Sequence, residues 1–204
     1  ASDVYKRQYC IPPFMIRSSV VNGVMSFAEM EAMMYKIEGE DLYLIGTSEH
    51  SMIGKFKGQI VDEKSLPITM TSYSPCFRKE VGSHGIEERG VYRVHQFEKQ
   101  EMVVLCKPED SMDWYNKMWS YTVEFFRSLD VPVRTLECCS GDLADLKVKS
   151  CDVEAWSPRQ KKYFEVGSCS TLGDAQARRL GIRTKGENLS LIHISEPTRL
   201  QLIS

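Results

Sequence analysis

Residues 76–106 read CFRKEVGSHGIEERGVYRVHQFEKQEMVVLC, two strand-like runs joined by a glycine-bearing loop. Alternate residues of a strand point to the same face. Arg78 and Glu80 therefore share one side of the first run. On the second run Arg93, His95, Phe97, Lys99 and Glu101 share a side, with Val94, Met102 and Val104 on the other. A plain antiparallel hairpin with one wet face also alternates in this way. Here the charges surround an aromatic ring, which makes a polar, aromatic-centred surface on a rigid sheet.

Working outward, residues 66–80 and 92–106 predict two long strands, and the connection at 81–90 exceeds a tight two-residue turn. Its three glycines and His84 suit a loop at the mouth of a site or on an open surface. Residues 108–129 predict an amphipathic helix covering the back of the sheet. Its buried side reads Met112, Tyr115, Met118, Trp119, Thr122, Phe125, Phe126 and Leu129, and Pro132 marks its end. A short strand at 133–138 and a hairpin at 152–157 and 162–168 follow. Gly167 inside the second arm predicts a bulge, which would bring Glu165 and Ser168, nominally on opposite faces, toward one ligand. Residues 174–180 predict a helix closed by Gly181.

Toward the N-terminus, Pro12 and Pro13 make residues 9–16 an extended edge. Ser26 and Glu29 form a capping box, with Phe27, Met30, Met34 and Ile37 at helical spacing behind it. Residues 41–47 read as a strand that turns at Thr47, Ser48 and Glu49 into a short helix. Those three residues suit a plain helix N-cap, or a corner that presents side chains and backbone amides together. The fold class predicted is α+β, an antiparallel sheet flanked by helices.

Phe-Arg-Lys-Glu, the glycine loop, and Arg-Val-His-Gln-Phe-Glu-Lys-Gln-Glu together closely resemble motif 2 of the class II aminoacyl-tRNA synthetases, in the form found in seryl-tRNA synthetases. The match runs through both strands, and the stretches DVEAW and FEVGSCS…QARRLGIR extend the resemblance over nearly all of residues 9–188, in an archaeal or eukaryotic flavour. It implies catalytic roles for Arg78 and Glu80 and a serine site at Thr47, Ser48, Glu49 and Glu101. It implies an ATP site along Arg78, Lys79, Glu80, Arg93, Val94, His95, Gln96 and Phe97, faced by Glu165, Val166, Gly167 and Ser168. Glu165 and Ser168 would hold Mg2+. It implies a homodimer whose interface lies near YCIPPFMI, the tail of motif 1. The tRNA-binding arm would lie upstream of Tyr9 and motif 3 downstream of Asn188, so the segment by itself is expected to be inactive.

The chemistry of the side chains agrees with that resemblance. An arginine neutralises phosphate with a planar fork of donors, a phenylalanine can stack an adenine, and Glu49 or Glu101 can hold an ammonium group. Glu165 and Ser168 offer the hard oxygens Mg2+ prefers. His95 reads more simply as a hydrogen-bonded structural histidine than as a general base. The implied reaction joins the serine carboxylate to the α-phosphorus of ATP and then passes the seryl group to tRNA(Ser). Neighbouring readings are a class II synthetase for threonine or proline, a synthetase-like ligase that loads a carrier protein, and a non-catalytic paralogue. The last would be expected to lose the charged face.

The 204 residues are 42% hydrophobic and 26% charged, the balance of a soluble globular domain, and no run is apolar enough to span a bilayer. A formal net charge of -2 argues against a broad nucleic-acid grip, so any tRNA contact is local or carried by parts outside this segment. Seven cysteines without a CxxC pair read as reduced, mostly buried thiols of a cytoplasmic protein.

The two ends carry a separate signal. Residues 3–8 can be encoded by GAT GTG TAT AAG AGA CAG, whose reverse complement encodes residues 189–194. Residues 1–8 and 189–204 therefore read as adapter-derived tails of a transposase-made library around a partial catalytic domain at 9–188, and are expected to have no partner in the fold.

Overall fold

The computed structural model describes residues 8–80, 94–186 and 189–197. The chain opens with β1 (Gln8–Tyr9), β2 (Met15–Ile16), α1 (Ser18–Val24), α2 (Phe27–Met33), β3 (Tyr43–Leu44), α3 (Ser48–Gly54), β4 (Ile60–Asp62), β5 (Ile68–Phe77) and β6 (Gln96–Cys106). It continues with α4 (Ser111–Ser128), β7 (Val133–Glu137), β8 (Lys149–Ser157), β9 (Lys162–Thr171), α5 (Ala175–Leu180), β10 (Arg183–Lys185), β11 (Leu189–Leu191) and β12 (His193–Pro197). Seven strands form one sheet in the order β1-β5-β6-β12-β9-β8-β7. Every pairing in it is antiparallel except that of β1 with β5. Helices cover both faces, which is the α+β class the sequence predicts.

The hairpin of β5 and β6 runs in unbroken register from Ile68 opposite Leu105 to Phe77 opposite Gln96. On β6, Phe97, Lys99, Glu101, Val103 and Leu105 are buried on one face. Val103 and Leu105 join Met52 and Ile53 of α3 and Ala177 and Leu180 of α5 in one core. Val104 and Cys106 face the other way, onto Tyr115 and Met118 of α4. One face of a single strand thus changes character along its length. Burying a Val or Leu side chain stabilises by roughly 1.5–3 kcal/mol. Lys99 and Glu101 contribute nothing of that kind, and it is beside them that the candidate site opens.

β5 ends sooner than predicted. The Arg78 N–H still donates to the His95 carbonyl (3.0 Å), in register with β6, and the chain turns away at Lys79, whose N–H donates to the Met33 carbonyl (2.8 Å) at the end of α2. The predicted loop with His84, and Arg93 with it, lie outside the described residues. Of the predicted strand at 41–47 only β3 pairs regularly, with β2.

The helices differ from expectation at their edges. The predicted capping box forms, with the Ser26 N–H donating to Glu29 Oε2 (2.9 Å) and the Glu29 N–H to Ser26 Oγ (3.3 Å). The backbone turns extended at Met34, so Ile37 is off the helix, and Phe27 is 63% exposed. On α4, Tyr115, Met118, Thr122 and Phe126 form the buried stripe, whereas Met112, Phe125 and Leu129 are exposed. Leu129 is the C-cap beyond the last turn, and Phe125, one residue and about 100° from Phe126, retains an edge contact with its ring (5.3 Å between centroids). α1 was not predicted; its N-cap, Arg17, makes no side-chain cap bond and its first turn lacks an acidic residue. It is held by close packing on α5, where a Cβ at Gly23 would fall 2.2 Å from Leu180 Cδ2.

The expectation that residues 1–8 and 189–204 have no partner in the fold fails for Gln8, which pairs opposite Met70 in β1, and for residues 189–197. β11 pairs with β10, and β12 fills the slot between β6 and β9, with Ile194 opposite Leu105 and Ser195 opposite both Val104 and Thr171. The cause is local pattern: Ile192 and Ile194 recur with a period of two and enter the same apolar layer as Val103 and Leu105. A β-branched segment with that spacing completes two ladders that would otherwise be unpaired.

Candidate active site

Residues 47–51 are buried without exception. Thr47 stands at the N-cap position of α3, yet its side chain makes no cap bond. Its hydroxyl instead donates to Glu101 Oε1 on β6 (2.6 Å), while Lys99 Nζ donates to Thr47 Oγ1 (3.0 Å) and ion-pairs with Glu101. A plain cap would have spent the hydroxyl on the first turn of its own helix. Its use on a strand 54 residues away ties the corner to the sheet. Buried charges of this kind need each other, because each is costly when left alone. Glu49 accepts from Gln176 Nε2 of α5 (2.6 Å). Ser48 Oγ is buried without a hydrogen-bond partner in the structure described.

Arg78, just past β5, donates from Nε to the Gly46 carbonyl (3.0 Å), and its guanidinium carbon lies 5.5 Å from the centroid of Phe97. The anchor uses Nε; the two terminal nitrogens of a guanidinium are by their chemistry able to fork onto an anion such as phosphate. Arg78 lines a polar cavity of about 300 Å³ together with Thr47, Glu49, Lys99, Glu165 and Ser168. Residues far apart in the chain, from α3 and its N-cap, β6, β9 and the segment after β5, therefore meet at one opening.

The facing wall is the hairpin of β8 and β9. Its register slips between Val153, opposite Gly167, and Glu154, opposite Glu165, so that Val166 is the extra residue of a bulge. The slip puts Glu165 and Ser168 on the same cavity wall, as the glycine suggested. Asp152 lies opposite Ser168, and its carboxyl is raised above the ordinary value, first by burial and then by the negative charge of Glu165. The donors present are oxygens of a carboxylate and a hydroxyl, a set that fits Mg2+. Among the described residues no group of three or more His, Cys, Asp or Glu side chains is arranged to hold a metal.

Other residues singled out in the sequence do not line this cavity. Lys79 Nζ reaches the Glu31 carbonyl on α2 (3.3 Å), and Glu80, half-buried, follows it off the strand. Alternation stops ordering side chains once the ladder ends at Phe77. His95 Nδ1 meets Tyr35 Oη (2.5 Å) and the Arg78 carbonyl (3.3 Å), a structural role. Val94 and Gln96 lie at the open end of β6, half-buried and exposed. Phe97 is buried beneath Arg78, and Val166 and Gly167 form the bulge without lining the opening. Sequence reasoning gave no role to Lys99, although it lies between Phe97 and Glu101 on the right face. It missed Gln176 altogether; the available signal was a polar residue one turn before the buried Leu180 of α5.

The antiparallel sheet, with helices on both faces, thus carries at one end a polar pocket of mixed charge beside an arginine on an aromatic ring. Residues 33–195 match the family described as tRNA synthetase class II core domain (G, H, P, S and T), and the chain belongs to that family. Within it, the chain is 48% identical over 173 residues to the serine--tRNA ligase of Thermococcus sibiricus, covering 85% of this chain and 38% of that one. It is 41% identical over 194 residues to the serine--tRNA ligase of Methanospirillum hungatei, covering 93% and 46%. Its fold superposes on the crystal structure of seryl-tRNA synthetase from Pyrococcus horikoshii complexed with ATP at a TM-score of 0.94 and 42% identity, over 97% of this chain and 45% of that one. The cytoplasmic serine-tRNA ligase of Naegleria fowleri in complex with AMP gives 0.90 at 33% identity, over 98% and 48%. The chain spans less than half the length of each of these relatives.

Proposed function

We propose that this chain is part of the catalytic domain of an ATP-dependent serine–tRNA ligase. In the first step a serine carboxylate oxygen bonds to the α-phosphorus of ATP as the bond to the leaving pyrophosphate breaks. In the second, the terminal ribose hydroxyl of tRNA(Ser) takes the seryl group and releases AMP. The observation that carries the reading is the convergence of Thr47 and Glu49 beside Arg78 in one partly closed cleft, with Glu101 buried directly behind Thr47, from whose hydroxyl it accepts. Acidic and hydroxyl groups there suit the ammonium and hydroxyl of serine, and Arg78 suits the charge that builds on the α-phosphate. No side chain needs to move a proton, so the rate enhancement comes from positioning and charge stabilisation.

In this reading Glu165 and Ser168 hold Mg2+, which when bound would neutralise phosphate charge. Phe97 supports the adenine, and the family resemblance extends the nucleotide site to Arg93 and to Lys79, Glu80, Val94, His95, Gln96, Val166 and Gly167, of which the described residues lie outside the cavity lining. The protein works as a cytoplasmic homodimer. Support for the dimer comes from Ile11 and Phe14, exposed apolar residues beside β1. The seven cysteines are all free thiols, as a reducing compartment requires, and no described helix is long and apolar enough to cross a membrane. Residues 1–8 and 189–204 are read as adapter-derived tails, with part of the second lodged in a strand position; the gene amplified directly from its source should differ from this sequence beyond residue 188.

The test is amino-acid-dependent pyrophosphate exchange by a protein of the relatives' full length that carries this segment. Serine should support exchange. Alanine should fail because a buried polar group that loses its partner costs about 1–3 kcal/mol. Threonine should be rejected by pocket size, by roughly 10- to 200-fold. Equal exchange with proline or threonine would overturn the assignment. Activation of serine followed by loading of a carrier protein in place of tRNA would favour the ligase alternative.

A further inference from the structure

Gln176 is fully buried, although it is a polar residue on a six-residue helix of the core. Its amide can be oriented from its partners alone. One side donates to Glu49 Oε1 (2.6 Å) and to the Val24 carbonyl (3.4 Å), and both of those atoms are acceptors, so that side is the nitrogen. The other side, Oε1, is buried without a hydrogen-bond partner in the structure described. Burying an amide and leaving half of it unsatisfied is costly. Nothing in the packing of α5 asks for it, since Ala177 and Leu180 already supply the apolar contacts. The residue also lines the candidate cavity beside Glu49.

We propose that Gln176 is a positioning residue for amino-acid recognition: its amide fixes one carboxylate oxygen of Glu49 and so orients Glu49 toward the ammonium group of the substrate. This rests on the reading of the cleft as an amino-acid site. It assigns α5 to specificity as well as to the core, because the backbone tie to Val24 and the side-chain tie to Glu49 link α1, α3 and α5 around one pocket wall. A neutral donor is what the position requires. A cation there would pair with Glu49 and compete with the substrate's ammonium, and an apolar group would remove this donor from the Glu49 carboxylate.

Two substitutions in a full-length protein carrying this segment test the assignment. Gln176→Met keeps the volume and removes the donor. It should raise the serine KM by about 10- to 100-fold, the range expected for losing a hydrogen bond to a charged group, while the ATP KM stays within about twofold and kcat changes less than the serine KM. Gln176→Glu places a second carboxyl against Glu49, and two carboxylates in one site cannot both ionise easily. At low pH one of them is protonated and can donate the missing bond. The serine KM of this variant should therefore fall as pH drops from about 8 to about 6, relative to the unsubstituted protein over the same range. The other charged or titratable groups lining the cavity, namely Glu29, His50, Arg78, Lys99, Lys147 and Glu165, are common to both proteins and cancel in that comparison.

An unchanged serine KM in Gln176→Met, or serine and ATP KM values that rise together without low-pH recovery in Gln176→Glu, would overturn the proposal. Loss of folding in both variants would do so too, by showing a purely structural role. Failure of the unsubstituted protein to exchange pyrophosphate with serine would instead sink the underlying function. The two failures are thus separable.

Discussion

Replacing Arg78 with alanine in a full-length protein carrying this segment is expected to lower serine-dependent pyrophosphate exchange by at least roughly 100- to 1,000-fold, the effect of removing one preorganised donor from a transition state. Arg78 is held by the Gly46 carbonyl and the Phe97 ring, so its guanidinium is in place before substrate arrives. An interaction already positioned costs no reorganisation when charge develops on the phosphate. The loss should fall mainly on kcat if Arg78 stabilises the transition state, and on the ATP KM if it only binds nucleotide. Arg159→Ala, at the exposed turn between β8 and β9, provides the control and should retain activity. Full exchange after Arg78→Ala would reduce the hairpin to a solvated sheet.

The second large effect is on stability. Lys99→Met should destabilise the fold by about 3–5 kcal/mol, because it strands the Glu101 carboxylate in a site where it is almost wholly buried. Thr47 would still donate to Glu101, but a hydroxyl does not neutralise it. Adding Glu101→Leu should recover much of the loss, since replacing both members of a buried pair by apolar groups is often near neutral. Urea denaturation of the two variants and the unsubstituted chain measures the difference. A silent Lys99→Met would show that the pair is solvated and that the cleft is wetter than its geometry implies.

The two strands of the central hairpin were legible because alternation is a local rule that holds wherever a ladder persists. The same rule stops short of Glu80, since β5 ends at Phe77 and nothing in the local sequence marks the end. The bulge at Val166 was legible from Gly167, and with it the meeting of Glu165 and Ser168. Gln176 was not, because its meaning depends on Glu49, a residue 127 positions earlier whose approach to α5 is set by packing. α1 was hidden for a related reason: it has no cap signal and is held by Gly23 fitting under Leu180. The misreading of residues 189–197 has the opposite cause. The origin of a segment says nothing about whether its side chains alternate well enough to fill a vacant strand position.

A crystal structure of the chain with a non-hydrolysable seryl-adenylate analogue tests the central claim most directly. The ammonium group is expected within hydrogen-bonding distance of Glu49, the serine hydroxyl at Glu101, and the linkage that replaces the α-phosphate at the Arg78 guanidinium. An analogue bound outside the cleft of Thr47, Glu49, Arg78 and Lys99, or bound there with its ammonium group turned away from both glutamates, would contradict it.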